Sequence, residues 1–432
     1  MRVLLATYGT RGDVEPMVAL AAQLRLLGAD VRLCAPPDEV FQPLLLRAGV
    51  PLVPFGRSWR SWATAETSAQ ERVPSVDDFV NDHVEATYDT LAEAAADADV
   101  LLATGMVHFV ARTAAEVAGI PNRFVVFSPS LLEPQGYQSR VGTAINGHRA
   151  SLGLPPVDDV RGFLLTPRPW LAADPVLSPP QRSPAVGART GAWILPDQRP
   201  LPCEVEAFLE AADPPVFVGF GSMLVEQESA RNTIEAIRTH GRRVMVGRGW
   251  SGLDVVAADE DCLAVGEVNQ QALFSRVACV IHHGGAGTTT TAARAGSPQV
   301  VAAQLADQPY WASRVVDLGI GAAVDNPTPT SESIWDALAV ALTPATTARA
   351  TAVARRSAPT ARSRPRGSCS TRSRDAARQN RPQGSRQHPA PQAPQLLLTT
   401  SSTPPSSDGH RPHLRRGPVF SQRSATETPA PS

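Results

Sequence analysis

Ile281-His282-His283-Gly284-Gly285-Ala286-Gly287-Thr288 follows a short apolar run, Ala278-Cys279-Val280-Ile281, and precedes a helical pattern from Thr289 to Arg294. The order is strand, glycine-rich turn, helix start. Unpaired N–H groups at a helix N-terminus and the positive end of its dipole bind phosphate. Glycine lets the backbone come close to a ligand, and an adjacent histidine can hydrogen-bond a phosphate oxygen without a metal. A plainer reading stands beside this one, an ordinary strand–helix turn with a core histidine.

The same strand–helix alternation extends outward in both directions. Upstream, Val3–Thr7, Val31–Cys34, Pro51–Pro54, Val100–Ala103 and Phe124–Phe127 read as strands, and Val14–Leu27, Phe41–Ala48, Val76–Ala98 and Val110–Ala118 as helices. Gly28 and Gly49 fall just past helix ends, where glycine caps are favoured. From Pro215 the pattern resumes, with strands at Val216–Phe220, Val244–Gly247, Leu263–Val265, Cys279–Ile281, Gln299–Ala302 and Ala322–Val324. Helices are expected there at Ala230–Thr239, Gln270–Phe274, Thr288–Ala295, Pro309–Leu318 and Ile334–Leu342. Such alternation marks a parallel α/β sheet. The fold class is therefore α/β, with two Rossmann-like domains facing across a cleft. Residues 1–190 form the first domain, 191–212 a linker and 213–354 the second. The Pro- and Gly-rich stretch Pro129–Pro202 lacks a clear period and reads as surface loops and a crossover.

Composition narrows the class. At 432 residues the chain can build two ordinary cores, and no apolar run is long enough to cross a membrane. The start, Met1 to Thr7, is too short in its apolar part for a signal peptide, so a cytoplasmic protein is expected. Five scattered cysteines without Cys-x-x-Cys indicate neither a disulfide framework nor a zinc site. There is no lysine, which with the abundant alanine points to a GC-rich coding sequence. Residues 361–432 hold twelve Arg against three acids, leaving 28 basic and 38 acidic residues elsewhere, a net of −10 that argues against nucleic acid as a partner. Past Ala354 the pattern collapses into Pro, Ser, Arg and Gln, so residues 355–432 are expected to be a disordered tail. The break is abrupt, and a frameshift is favoured over a natural tail.

Several polar residues fall at strand ends, where open parallel sheets bind ligands. Gly9-Thr10-Arg11-Gly12-Asp13 places a carboxylate at a helix start, where a helix-capping Asp is the competing explanation. Gly219-Phe220-Gly221-Ser222 brings a hydroxyl, and Asp307-Gln308 opens another helix, again with capping as the alternative. Together these suit a diphosphate-linked ligand carrying sugar hydroxyls. No His/Asp/Glu cluster has metal-ligand spacing, and no Gly-x-Ser-x-Gly elbow is present.

With these residues assembled, the chain resembles the nucleotide-sugar glycosyltransferases of the GT-B fold, and among them those of vancomycin-type glycopeptide antibiotic biosynthesis. The phrases that carry the resemblance are Gly-Thr-Arg-Gly-Asp-Val-Glu-Pro (9–16), Gly-Ala-Asp-Val-Arg-Leu-Cys-Ala-Pro-Pro-Asp (28–38) and Trp-Leu-Ala-Ala-Asp-Pro-Val-Leu-Ser-Pro (170–179). Thr-Gly-Ala-Trp-Ile-Leu-Pro-Asp (190–197), Val-Gly-Phe-Gly-Ser (218–222), Val-Gly-Glu-Val-Asn (265–269) and the His-Gly turn complete it. It implies an inverting, metal-independent transferase without a cofactor, with Asp13 as general base toward the acceptor hydroxyl. His283, Gly285, Gly287 and Thr288 would hold the diphosphate, helped by Ser222 and Thr10, with Arg11 near the nucleotide. The backbone at Val268 would meet the base, and Asp307 with Gln308 the sugar hydroxyls. The implied partners are a UDP-glucose or UDP-N-acetylglucosamine donor and a glycopeptide aglycone acceptor, taken up by a monomer with no membrane insertion. Three other readings stay open: a dTDP-aminosugar transferase, an impaired remnant that only binds nucleotide sugar, and a nucleotide-sugar epimerase. The resemblance departs at two places, a shortened loop after Phe127 and Arg355-Arg356-Ser357-Ala358-Pro359 where family members continue in helix.

Overall fold

Strand β1 (Arg2–Tyr8) is buried on both faces, and its pleat sends Val3 and Leu5 into one core and Leu4, Ala6 and Tyr8 into another. Strands buried on both faces belong to parallel sheets covered by helices on each side. In the computed structural model β1 pairs in parallel with β2 (Asp30–Ala35) and β4 (Val100–Gly105). With β3 (Leu52–Pro54), β5 (Asn122–Val126), β6 (Trp170–Leu171) and β7 (Ala188–Arg189), the sheet order is β3-β2-β1-β4-β5-β6-β7. The second sheet, β8 (Val216–Gly219), β9 (Val244–Gly247), β10 (Cys262–Val265), β11 (Cys279–His282), β12 (Gln299–Ala302) and β13 (Gly321–Val324), has the order β10-β9-β8-β11-β12-β13. The second sheet, and the first six strands of the first, thus repeat one Rossmann order. It reverses between β1 and β4, and again between β8 and β11. Ligands bind at such reversals, outside the carboxyl ends of the strands.

The structure describes residues 1–61, 76–132, 137–180, 186–223, 227–250, 260–324 and 329–357. Both sheets lie within one compact unit, Met1–Arg362. Helices α1 (Arg11–Leu26), α2 (Gln42–Ala48), α3 (Val76–Ala96) and α4 (His108–Ala118) cover the first sheet. Then follow α5 (Tyr137–Ser151), α6 (Val160–Leu165), α7 (Cys203–Glu210), α8 (Gln227–Thr239), α9 (Gln270–Leu273), α10 (Ala286–Ala295), α11 (Gln308–Asp317), α12 (Ser331–Ala341) and α13 (Pro344–Ser357). Among the described residues no helix is long and apolar enough to cross a membrane. Cys34, Cys203 and Cys279 are free thiols.

Two expectations are corrected. The stretch Pro129–Pro202 contains α5 and α6 and contributes β6 and β7 to the sheet, so much of it is regular structure. Helix α5 buries Val141, Ala144 and Ile145, spaced three and four apart on one face, and packs on α3. Gly142, Gly147 and the polar residues around them lower intrinsic helix propensity and dilute that period; tertiary burial overrides them. The helical pattern also does not stop at Ala354. Helix α13 continues to Ser357, buries Ala350 and Val353, and packs on α10. The expected tail beyond it lies outside the described residues.

The two halves are joined by more than the linker. Asp174, only 1 % exposed, accepts from Val176 N (3.0 Å), Ser357 Oγ (3.2 Å) and Arg294 Nη2 (3.2 Å). Arg314 Nε donates to the Leu177 carbonyl at 2.7 Å. One loop of the first half thus grips α10, α11 and α13 of the second. Removing one partner of a buried ion pair strands the other charge. Asp174→Ala should lower the unfolding free energy by about 3 kcal/mol, read from the urea midpoint; a change within error would show that the contact contributes nothing to stability.

Candidate active site

Asp13 lies in the first turn of α1. The helix is capped by Thr10, whose side chain accepts from Gly12 N at 3.2 Å, while Asp13 Oδ2 accepts from Thr10 N at 3.0 Å. Asp13 is therefore not the N-cap; it is the acidic partner of a reciprocal capping box. A Cβ at Gly9 would lie 2.2 Å from Asp13 Oδ2, and one at Gly105 would lie 3.3 Å from Oδ1. Gly9 follows β1 and Gly105 ends β4, so the carboxylate occupies the first reversal of strand order. Gly105 has a φ of +65°, a conformation natural to glycine. Burial pushes the Asp13 carboxyl up to about 7; the Thr10 N–H pulls it down, and the Asp307 charge adds to the rise. Asp307 belongs to the second half, so the rise at Asp13 has a contribution from the other half of the chain.

The second reversal carries the His-Gly turn. His282 is fully buried and structural: Nε2 meets Gln299 Oε1 at 2.9 Å and Nδ1 accepts from Gly284 N at 3.0 Å. His283 is half-buried beside Gly221 and Gly285, whose added Cβ atoms would lie 3.1 Å and 2.6 Å from its ring. Its Nδ1 is buried with no hydrogen-bond partner. Burial lowers its pKa to about 4, so at neutral pH it is a neutral donor rather than a cation. Helix α10 begins at Ala286, two residues before Thr288, and Gly285 is an N-cap without a side-chain bond. Gly287 and Thr288 therefore contribute first-turn N–H groups, which lack intrahelical acceptors. The His283 ring, Gly221, Gly285 and the start of α10 therefore lie side by side.

The remaining expected residues surround these two centres. Ser222 is half-buried in the loop after β8, and Val268 is half-buried between β10 and α9. Arg11 pairs with Glu15 (2.7 Å) and reaches Glu267 of the second half at 3.2 Å. Asp307 stands at the N-cap of α11 but makes no capping bond; its carboxylate accepts from Trp311 Nε1 at 2.8 Å. Burial raises its pKa, and the Trp311 N–H opposes this. Gln308 is buried, with Oε1 accepting from Gln304 N and Leu305 N. Among the described residues no group of three His, Cys, Asp or Glu side chains could hold a metal ion.

Glu267, Trp311 and Asn269 were not singled out by the sequence. Asn269 Nδ2 donates to the carbonyls of Asp197 (3.0 Å) and Arg199 (2.7 Å), and Glu267 Oε1 meets Arg199 at 3.1 Å. These contacts fasten the linker beside the base-side loop. No local pattern announces them, because every partner is distant in the chain.

Two parallel-sheet α/β halves, each with a strand-order reversal, are the architecture of the GT-B fold. Residues 3–124 match the Glycosyltransferase family 28 N-terminal domain, and residues 251–368 the Erythromycin biosynthesis protein CIII-like C-terminal domain. The solved glycosyltransferase VinC in complex with dTDP superposes with a TM-score of 0.61 at 21% identity, over 83% of this chain and 95% of that one. The vancomycin aglycone glucosyltransferase of Amycolatopsis orientalis is 47% identical over 383 residues, 82% of this chain and 93% of the relative. The dTDP-epi-vancosaminyltransferase of the same organism is 46% identical over 372 residues, with the same coverage. The chain belongs to the family of vancomycin-group glycopeptide antibiotic glycosyltransferases, which are inverting and metal-independent.

The raised Asp13 pKa has two measurable consequences. The base form prevails only above about 7, so kcat/KM should fall with a one-proton limb near that pH. Asp307→Asn should move the limb to lower pH; a limb that stays in place would remove Asp307 as a cause. For stability, the folded pKa lies above the ordinary 3.8, so the protonated form's contribution is complete below that value and is lost as pH rises to about 7. Asp13→Asn should therefore match the native chain near pH ~4 and be the more stable of the two near pH ~8 in urea unfolding.

Proposed function

We propose that this chain, acting as a cytoplasmic monomer, transfers a hexose from UDP-glucose or UDP-N-acetylglucosamine to a hydroxyl of a glycopeptide aglycone. Residues 1–190 take the acceptor, 213–354 the donor, and 191–212 link them. The observation that carries this reading is the 47% identity to a relative named vancomycin aglycone glucosyltransferase, beside an Asp13 carboxylate that accepts from Thr10 N and lies against Gly9 and Gly105 at the ends of β1 and β4. A base with a pKa near the working pH combines adequate basicity with a useful population of its ionised form.

The acceptor oxygen attacks the anomeric carbon as the carbon–oxygen bond to the diphosphate breaks, and Asp13 takes the hydroxyl proton. One displacement inverts the anomeric centre. Negative charge grows on the leaving diphosphate, where His283, Gly285, Gly287 and Thr288 offer N–H groups in a site that needs no reorganisation. Ser222 and Thr10 assist there, and Arg11 lies toward the nucleotide. The Val268 backbone meets the base, and Asp307 with Gln308 serves the sugar hydroxyls. The Gly-Gly form of the turn and the Asp-Gln pair support the UDP-hexose donor. A dTDP-aminosugar donor is the second reading, favoured by the 46% identity to a relative named dTDP-epi-vancosaminyltransferase.

The test is product mass after incubating the full chain with vancomycin- and teicoplanin-type aglycones and each donor separately. A hexose-sized gain with a UDP-sugar is the expected result; a gain only with the dTDP-aminosugar would replace the donor, and no gain beside a working relative would leave a binding remnant. Asp13→Asn should slow turnover at least about a hundredfold, and unchanged turnover would remove Asp13 from the role of base.

A further inference from the structure

Gln308 stands where three loops of the second half meet. Its Oε1 accepts from Gln304 N at 2.8 Å and from Leu305 N at 3.1 Å, closing the turn after β12 on itself. Its Nε2 donates to Met223 Sδ at 3.4 Å, in the loop after β8. Its backbone packs on the His-Gly turn, because a Cβ at Gly284 would lie 3.1 Å from the Gln308 carbonyl oxygen and 3.3 Å from its Cβ. The side chain is buried. Both lone-pair directions of its amide oxygen are therefore engaged inside the protein.

The turn it closes is strained. Ala306 has a φ of +57°, one of two non-glycine residues at positive φ among those described. A left-handed alanine is disfavoured, and the strain persists only where neighbouring contacts hold it. Ala306 and Leu305 are exposed, so no packing around them supplies that hold. The hydrogen bonds across the turn are the two accepted by Gln308 Oε1, the backbone bond from Gln308 N to the Leu305 carbonyl at 3.2 Å, and the Trp311–Asp307 bond one residue on, so the Gln308 side chain adds its hold to a backbone closure. The product of this strained turn is the placement of Asp307 at the cleft.

We propose that Gln308 is a positioning residue: it clamps the 303–307 turn in its strained form, ties it to the Met223 and His-Gly loops, and so presents Asp307 to the donor sugar. This deepens the donor reading above and rests on it for the sugar, but the clamp itself is a property of the free protein. Gln308 then influences sugar binding through the turn more than by direct contact.

The test uses the full chain with Gln308→Leu, Gln308→Glu, Ala306→Gly and the Gln308→Leu/Ala306→Gly double variant. Amide hydrogen exchange without ligand reads the clamp, and calorimetric binding of UDP-glucose reads its consequence. Gln308→Leu should speed exchange at Gln304 and Leu305 by about tenfold, the order of one lost hydrogen bond, and weaken UDP-glucose binding. Gln308→Glu keeps an acceptor for both N–H groups and should keep their protection. Glycine adopts positive φ freely, so adding Ala306→Gly to Gln308→Leu should recover at least about threefold of the lost affinity. Unchanged exchange in Gln308→Leu, or lost affinity that Ala306→Gly does not restore at all, would overturn the clamp and make Gln308 a direct ligand. If the native chain binds no UDP-glucose, the donor reading fails, and the exchange result alone decides the clamp.

Discussion

The Asp174 carboxylate is the interaction on which the geometry of this molecule depends most. It is almost wholly buried, and it is shared by Arg294 of α10 and Ser357 of α13, both in the other half of the chain. A buried charge tolerates few alternative positions, since each would leave it or its partner unpaired. It therefore fixes how the loop after β6 sits on three helices of the second half. α10 is also the helix whose first turn forms the anion cradle. One ion pair thus links the contact between the halves to the helix that follows the His-Gly turn.

Electrostatics in the cleft follow from burial more than from added charge. His282 and His283 are both pushed down, to about 3 and about 4, and so are neutral. Asp13 and Asp307 are pushed up. The His-Gly turn presents N–H groups at a helix start, and Arg11 is already paired with Glu15 and Glu267.

The chain of polar contacts from Arg47 to Asp197, Arg199, Glu267 and Arg11 runs from the first half through the linker to the second and back to the first. Its members are partly exposed, so each pair adds little to stability. Their effect is geometric. They hold the base-side loop against the start of α1, where Thr10 and Asp13 form their reciprocal cap.

Both Rossmann halves were legible in the sequence, because strand and helix periods are local and every strand start and turn glycine lies within a few residues of what it controls. The strands of both sheets appear within two residues of their expected bounds, except the short β6 and β7. Helix α5 was not legible, since Val141, Ala144 and Ile145 are diluted by glycine and polar neighbours and gain their meaning only against α3. The His-Gly turn, Asp13 and the Asp307-Gln308 pair could be picked out by type and position. Their roles relative to one another could not. That Thr10 and not Asp13 caps α1 is a choice among residues three apart, which residue type alone left open; that His282 is held by Gln299 and Asp174 by Arg294 was decided by tertiary structure. The physical reason is range: partners such as His282 and Gln299, or Asp174 and Arg294, are far apart in the chain and meet only across gaps that the fold sets.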